Sequence, residues 1–350
     1  MCESFIFSMN RCKLTILLSL LLLGSLNVSA DWKKVNANTF AWLRSVYFLN
    51  PETGWIVGSQ GTFLSTTDGG KSWKSSKSVC TDTILDVYFA DEKRGWVLCE
   101  YDVFGRGAAS PSYIQETKDG GYTWERVRLE GEGNDRLLRL FFSNDGYGRV
   151  VGEAGTFFAM QDDRKTWRRS NPPVRFLLID GNFFSRNNGV VVGGGGTSLF
   201  TEDGGLSWYP ASFVGTSKTK LNSVHFINAA TGWTVGAEGR IFTSVNGGRL
   251  WRSQVSNSRR DLLDVAFADT AEGWAVGDGG EILHTKTAGN IWTPVEGPSK
   301  LRLERVVFAG KNVWAVGFGG TILRYDKSLT TPKTTQPAPV LQKRNYAAAN

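Results

Sequence analysis

Carboxylates recur in this chain in one fixed local setting. The run Thr66-Thr67-Asp68-Gly69-Gly70-Lys71-Ser72-Trp73 returns around Asp119 and Asp203 as Thr-x-Asp-Gly-Gly-x-Ser/Thr-Trp, with looser copies at Asp162, Asn246 and Thr287. Acids repeated so regularly invite a general acid/base reading. The turn chemistry points elsewhere. An Asp at the head of a tight turn accepts its own backbone N–H groups, glycines take the left-handed positions, and the Trp packs the hairpin, so Asp68, Asp119 and Asp203 are expected to be structural. Loss of the acid in some copies agrees with that.

Other reactive groups are sparse. The two histidines, His225 and His284, stand far apart with no ligand spacing around either, so no metal site is expected. The glycines flank short apolar runs and open no helix, which excludes a phosphate loop; no cofactor is called for. Cys80 and Cys99 are the two cysteines beyond the first thirty residues. They fall near the same end of two neighbouring apolar runs and are a candidate disulfide in an exported protein, two buried thiols being the alternative.

The elements that carry these groups repeat. Tryptophan recurs at 32, 73, 124, 167, 208, 251 and 292, at intervals of 41, 51, 43, 41, 43 and 41 residues. A period near 40 belongs to repeat arrays and propellers. Within each period lie four short β-branched or aromatic runs, A to D, divided by Gly and Asp turns. Run B is the clearest, as in Gly54-Trp55-Ile56-Val57-Gly58 and Gly232-Trp233-Thr234-Val235-Gly236, and it occurs seven times. The last unit has runs A to C but no following Trp, while Asp31-Trp32-Lys33-Lys34 looks like a D run without a unit of its own. The expected fold is therefore all-β, a seven-bladed propeller over residues 31–327, closed by the N-terminal strand pairing into the last blade.

In such a ring strand A lines the central channel. Counting three residues back from Phe48, Phe89, Phe142, Phe184, Phe226, Phe267 and Phe308 gives Ser45, Asp86, Arg139, Gly181, Ser223, Asp264 and Arg305. Asp86 beside Arg139 and Asp264 beside Arg305 are expected to form inter-blade ion pairs around the channel mouth, a ligand-binding mouth being the alternative. A second basic group, Arg126, Arg128, Arg139, Arg168, Arg169 and Arg175, gathers on the second to fourth units and would suit a carboxylate-bearing protein partner. The ten-residue excess of the second unit lies between Tyr101 and Tyr113, a loop expected to project from one face and to shape binding.

The ends differ from the repeats. Residues 1–30, with Arg11 and Lys13 before an apolar run from Leu14 to Leu26 and then Val28-Ser29-Ala30, read as a signal peptide. Residues 328–350, rich in Thr, Pro, Gln and Ala, are expected to be a disordered tail. The net charge of +7 is modest, and the chain lacks the stacked basic and aromatic repeats of a nucleic-acid binder. A monomer is expected.

The Asp-box turns, the Gly-Trp-x-Val-Gly strand, the seven units and the leader together make the chain resemble the photosystem II stability and assembly factor family of cyanobacteria and plastids. The resemblance covers Asp31 to Lys327. It implies a non-catalytic assembly chaperone on the lumenal side of the thylakoid membrane, or in the periplasm, that binds the new D1 reaction-centre subunit. By position it implies that Arg126, Arg128, Arg139, Arg168, Arg169 and Arg175 form the contact. Sialidase-like glycosidases also carry Asp-boxes and supply the alternative class. The chain lacks the Arg-Ile-Pro signature such enzymes carry before the first blade, and its channel acids are expected to be paired.

Overall fold

A computed structural model describes residues 32–76, 79–101, 111–215 and 218–326. The expected leader, the tail and most of the second-unit insertion, Phe104 and Arg106 among them, lie outside the described residues. Seven antiparallel sheets stand around one axis, as a seven-bladed β-propeller. The first blade shows the plan: A is Leu43–Phe48, B Gly54–Gly58, C Phe63–Thr66 and D Lys74–Ser75. Strand A of each later blade starts at Thr83, Leu137, Leu178, Leu221, Leu262 and Leu303. The seventh sheet runs Leu303–Ala309, Asn312–Gly317 and Ile322–Asp326, and its outer strand is Trp32–Lys34, with Trp32 opposite Tyr325.

Strand B is buried along its whole length because blades pack on both of its faces, which is why it reads as a continuous apolar run between glycines. Blades are joined by an aromatic sandwich. At four of the seven contacts the strand-A Phe of one blade packs on the strand-B Trp of the blade before it, and its own Asp-box Trp meets it edge-on. Phe89 lies 3.8 Å from Trp55 at 7° and is met by Trp124 at 84°; Phe267 lies 3.5 Å from Trp233 at 9° and is met by Trp292 at 89°. Blade three has Arg149 in the Trp position. Its guanidinium covers Phe183 of blade four at 4.9 Å, so a cation–π contact replaces the stack.

Two features escape the repeat pattern. Leu129–Glu130 and Ser212–Val214 each add a parallel fifth strand outside the D strand of the following blade. Moreover, every strand A carries a β-bulge near its start, between Leu43 and Ser45 in blade one and between Leu178 and Asp180 in blade four. Bulges re-aim side chains. Here the residue after each bulge turns toward the axis.

The fourth blade corrects the channel register. Gly189 pairs with Phe183, as Gly54 pairs with Phe48, so Phe183 and not Phe184 is the strand-A landmark. The channel residue is therefore Asp180 in place of Gly181.

Candidate functional site

The Asp-box turns are built as closed hydrogen-bond units. Asp68 Oδ1 accepts from Ser72 N at 3.0 Å and Thr66 Oγ1 at 2.8 Å, while Oδ2 accepts from Ser72 Oγ at 2.6 Å. Asp119 and Asp203 repeat the arrangement with Thr123 and Ser207. These bonds hold the carboxyls below the usual range, Asp119 at about 2. In blade three the acid that caps the turn is Asp163, one residue after Asp162; it accepts from Lys165 N and Thr166 N. Gly70 shows why the motif needs glycine: its φ is +73° and a Cβ there would meet Trp314 of the neighbouring blade at 2.3 Å.

The post-bulge residues form a charged belt across the channel. In blade order they are Ser45, Asp86, Arg139, Asp180, Ser223, Asp264 and Arg305. Each Asp bonds the next blade's backbone: Leu140 N reaches Asp86 Oδ2 at 3.2 Å, Val224 N reaches Asp180 Oδ2 at 3.0 Å and Val306 N reaches Asp264 Oδ2 at 2.8 Å. Ser45 and Ser223 donate to Asp86 and Asp264, both at 2.6 Å. Arg139 Nε donates to Asp180 at 2.9 Å and stands 3.5 Å from Asp86. Arg305 reaches Asp264 at 3.6 Å and, across the axis, Asp86 at 3.8 Å. The two expected ion pairs are present but long, and the shortest contact belongs to Asp180. Burial raises all three carboxyls, Asp264 to about 7, against the pull of Arg139.

The belt divides the channel. On the Asp-box side a cavity of about 400 Å³ is lined by Tyr47, Tyr88, Asn182 and His225 above the belt. Burial raises the phenols of Tyr47 and Tyr88 and lowers His225 to about 4, so this side offers neither an activated Tyr nor a charged imidazole near neutrality. On the opposite face a chamber of about 220 Å³ is walled by bulge residues. Among the described residues no group of three His, Cys, Asp or Glu side chains is placed to hold a metal.

The basic group on the second to fourth blades is not one field. Arg139 is in the belt, away from the others, because the bulge turns it to the axis. Arg126 pairs with Glu132 at 3.0 Å, Arg168 with Glu130 at 3.2 Å and Arg169 with Asp135 at 2.7 Å. Arg128 and Arg175 are exposed, and among the described residues no acid pairs with either. The acids lie in the 127–136 connection, and the parallel strand Leu129–Glu130 brings them against the blade-three D strand. Arg126 also covers Tyr113 and donates to Tyr101 Oη at 3.1 Å, at the base of the insertion.

The sulfurs of Cys80 and Cys99 lie 3.0 Å apart. The hydrogen bond between them lowers Cys80 and raises Cys99.

The family model described as photosynthesis system II assembly factor YCF48 matches residues 25–82, 165–260 and 249–329. The chain is 23% identical over 146 residues to the photosystem II assembly lipoprotein Ycf48 of Synechococcus sp. (strain CC9902), covering 41% of this chain and 40% of that one. It is 24% identical over 266 residues to the assembly protein Ycf48 of Thermosynechococcus vestitus, covering 64% and 75%. A solved structure of YCF48 bound to D1 peptide superposes with a TM-score of 0.68 at 21% identity, covering 85% of this chain and 95% of that one. The propeller of Staphylococcus aureus virginiamycin B lyase also superposes, with a TM-score of 0.68 at 13% identity over 84% and 98%. That enzyme shares the fold.

Proposed function

Since the chain belongs to the photosystem II assembly factor YCF48 family, we propose that it is an exported, non-catalytic scaffold that holds a segment of a membrane-protein subunit during assembly. The D1 subunit is the partner the reading favours, by analogy with the YCF48 structure that carries a D1 peptide. One observation supports the absence of catalysis most directly: every carboxylate a glycosidase reading would recruit is engaged. The Asp-box acids cap their own turns, and the belt acids bind the next blade's backbone. Among the described residues no helix is long and apolar enough to cross a membrane. We place the work at a membrane surface, in a periplasm or thylakoid lumen, by analogy with the assembly lipoproteins the chain resembles.

The contact surface we favour is the outer edge of blades two to four, where Arg128 and Arg175 have no acid partner among the described residues and Arg126 and Arg168 keep exposed guanidinium groups beside their acids. A partner carboxylate would compete with Glu132 and Glu130 for these forks. The working form is a monomer.

Crosslinking in intact cells, followed by capture of the partner on the wild-type protein and on an Arg128→Glu, Arg168→Glu variant, tests the reading. Capture should fall about tenfold at low salt and by less at high salt. Unchanged capture would remove this surface, and turnover of a sialoside or other glycoside by the wild-type protein would overturn the non-catalytic reading.

A further inference from the structure

The 220 Å³ chamber opens on the face formed by the B–C turns and the D–A connections. The bulge residues Leu85, Leu138, Ile179 and Leu263 form its walls, and Arg139 and Arg305 of the belt form its floor. Arg44, Lys220, Arg302 and the polar bulge residue Asn222 complete the lining, whose one carboxylate is Glu304; Arg302 also pairs with Asp278 at 2.8 Å, so Arg44 and Lys220 are the cations left to the rim. Glu304 is already committed: it accepts from Trp42 Nε1 at 2.7 Å and Arg302 Nε at 2.8 Å, and it lies 3.6 Å from Arg44.

The floor has unused donors. Arg139 Nη1 is buried with no acceptor. Arg305 comes no nearer to Asp264 and Asp86 than 3.6 and 3.8 Å. The acids below are largely spent on serine hydroxyls and backbone N–H groups. Planar forks with free N–H groups, at the bottom of an apolar-walled well with Arg44 and Lys220 at its rim, present what a carboxylate requires.

Aromatic side chains are exposed on the connections and turns next to this lining, though none of them belongs to it. Phe40 is 93% exposed, and Phe318 stands edge-on to Trp42 at 5.6 Å. Phe176, 59% exposed, stands by the blade-four turn. Exposed aromatics grouped on one face favour that face as a contact surface.

We infer that this chamber is a carboxylate-binding site that receives the C-terminal residue of a partner polypeptide, its carboxylate on Arg139 and Arg305 and its side chain against the leucine and isoleucine wall. The inference rests on the scaffold reading above and adds a site distinct from the outer-edge arginines. The chamber has room for a chain end and not for a folded element.

The probe is a fluorescein-labelled peptide, Gly-Ser-Gly-Ser-Gly-Leu, offered as the free acid and as the C-terminal amide to the full chain. The free acid is expected to bind about tenfold tighter than the amide at low salt, with the preference shrinking as salt rises. Replacement of Arg139 threatens the belt, so the rim carries the test. Arg44→Ala with Lys220→Ala should bring the free acid down toward the amide while the unfolding midpoint stays at the wild-type value.

Equal binding of acid and amide, or binding of neither, overturns the assignment. An amidated peptide with an internal Glu that binds as well as the free acid would overturn the C-terminal occupant, and inorganic phosphate binding more tightly than the free-acid peptide would make it a free-anion site. A rim variant that loses the acid preference but captures its cellular partner fully, with the partner's terminus amidated or truncated to the same effect, sinks this inference and leaves the scaffold standing. Lost capture by the outer-edge variant with the acid preference intact does the reverse.

Discussion

Asp264 concentrates the electrostatics of the belt in one residue. Burial lifts its carboxyl from 3.8 to about 7, the Arg139 charge and the Ser223 and Val306 hydrogen bonds opposing the lift. The folded chain thus holds a proton that the unfolded chain has released, so the contribution is full below about pH 4 and is lost as pH rises through 7. Asp86 and Asp180 shift the same way. The unfolding midpoint should decline between pH 4 and 7, and Asp264→Asn should flatten that slope and raise stability at pH 8 by a few kcal/mol, roughly 1.4 per unit of pKa displaced. A pH series of thermal melts reads it; an unaltered slope in the variant would reject the assignment. Below pH 4 the Asp-box acids reverse the sign, because their carboxyls are held down and their turns weaken on protonation. Cys80 and Cys99 make a further prediction at this scale. Oxidised glutathione should join them by exchange, its own S–S bond breaking as it takes up their two electrons and two thiol protons and leaves as two reduced glutathiones, and mass mapping without reductant should find the linked peptides. The box acids were legible from spacing alone, as were Asp86 and Asp264. Asp180 was not, because Phe183 and Phe184 offer two registers and only the pairing of Phe183 with Gly189 chooses between them. The acids that neutralise Arg126, Arg168 and Arg169 were hidden for another reason: proximity in a connection says nothing about which strand it will lie against.

Four of the seven blade contacts carry the Trp–Phe–Trp sandwich. Phe267, fixed between Trp233 and Trp292, is 4% exposed. Phe267→Ala should cost about 3–5 kcal/mol, by transfer and cavity terms together, and denaturant unfolding measures it. A loss under 1 kcal/mol would mean that the neighbouring rings collapse into the gap. The blades were readable because glycine and tryptophan punctuate them at every turn. The fifth strands and the bulges were not. Segments of two or three residues carry no period, and a bulge adds one residue to a strand without altering its composition. Yet the bulge decides the site, since it turns Arg139 inward and away from the surface group to which its neighbours in sequence belong.

At the scale of the whole ring, a single seam decides closure. Trp32 is 2% exposed, lies edge-on to Trp274 at 5.2 Å and stands opposite Tyr325 in the last sheet. Trp32→Ala should cost about 3–5 kcal/mol, and the loss should appear first as hydrogen exchange in Ile322–Asp326, the strand left with an open edge. Uniform exchange across all seven blades would show instead that the ring opens as one unit. That seam also sets an order in time. Six blades can form by packing each on the one before, as the chain is made, but the strand made first has no sheet to join until the strands made last exist. The loop-closure entropy of the whole ring is therefore met in one late step. Until that step the Asp326 strand offers unpaired backbone groups to any extended segment nearby, so a chain interrupted before closure is an adhesive edge, and a completed one is sealed.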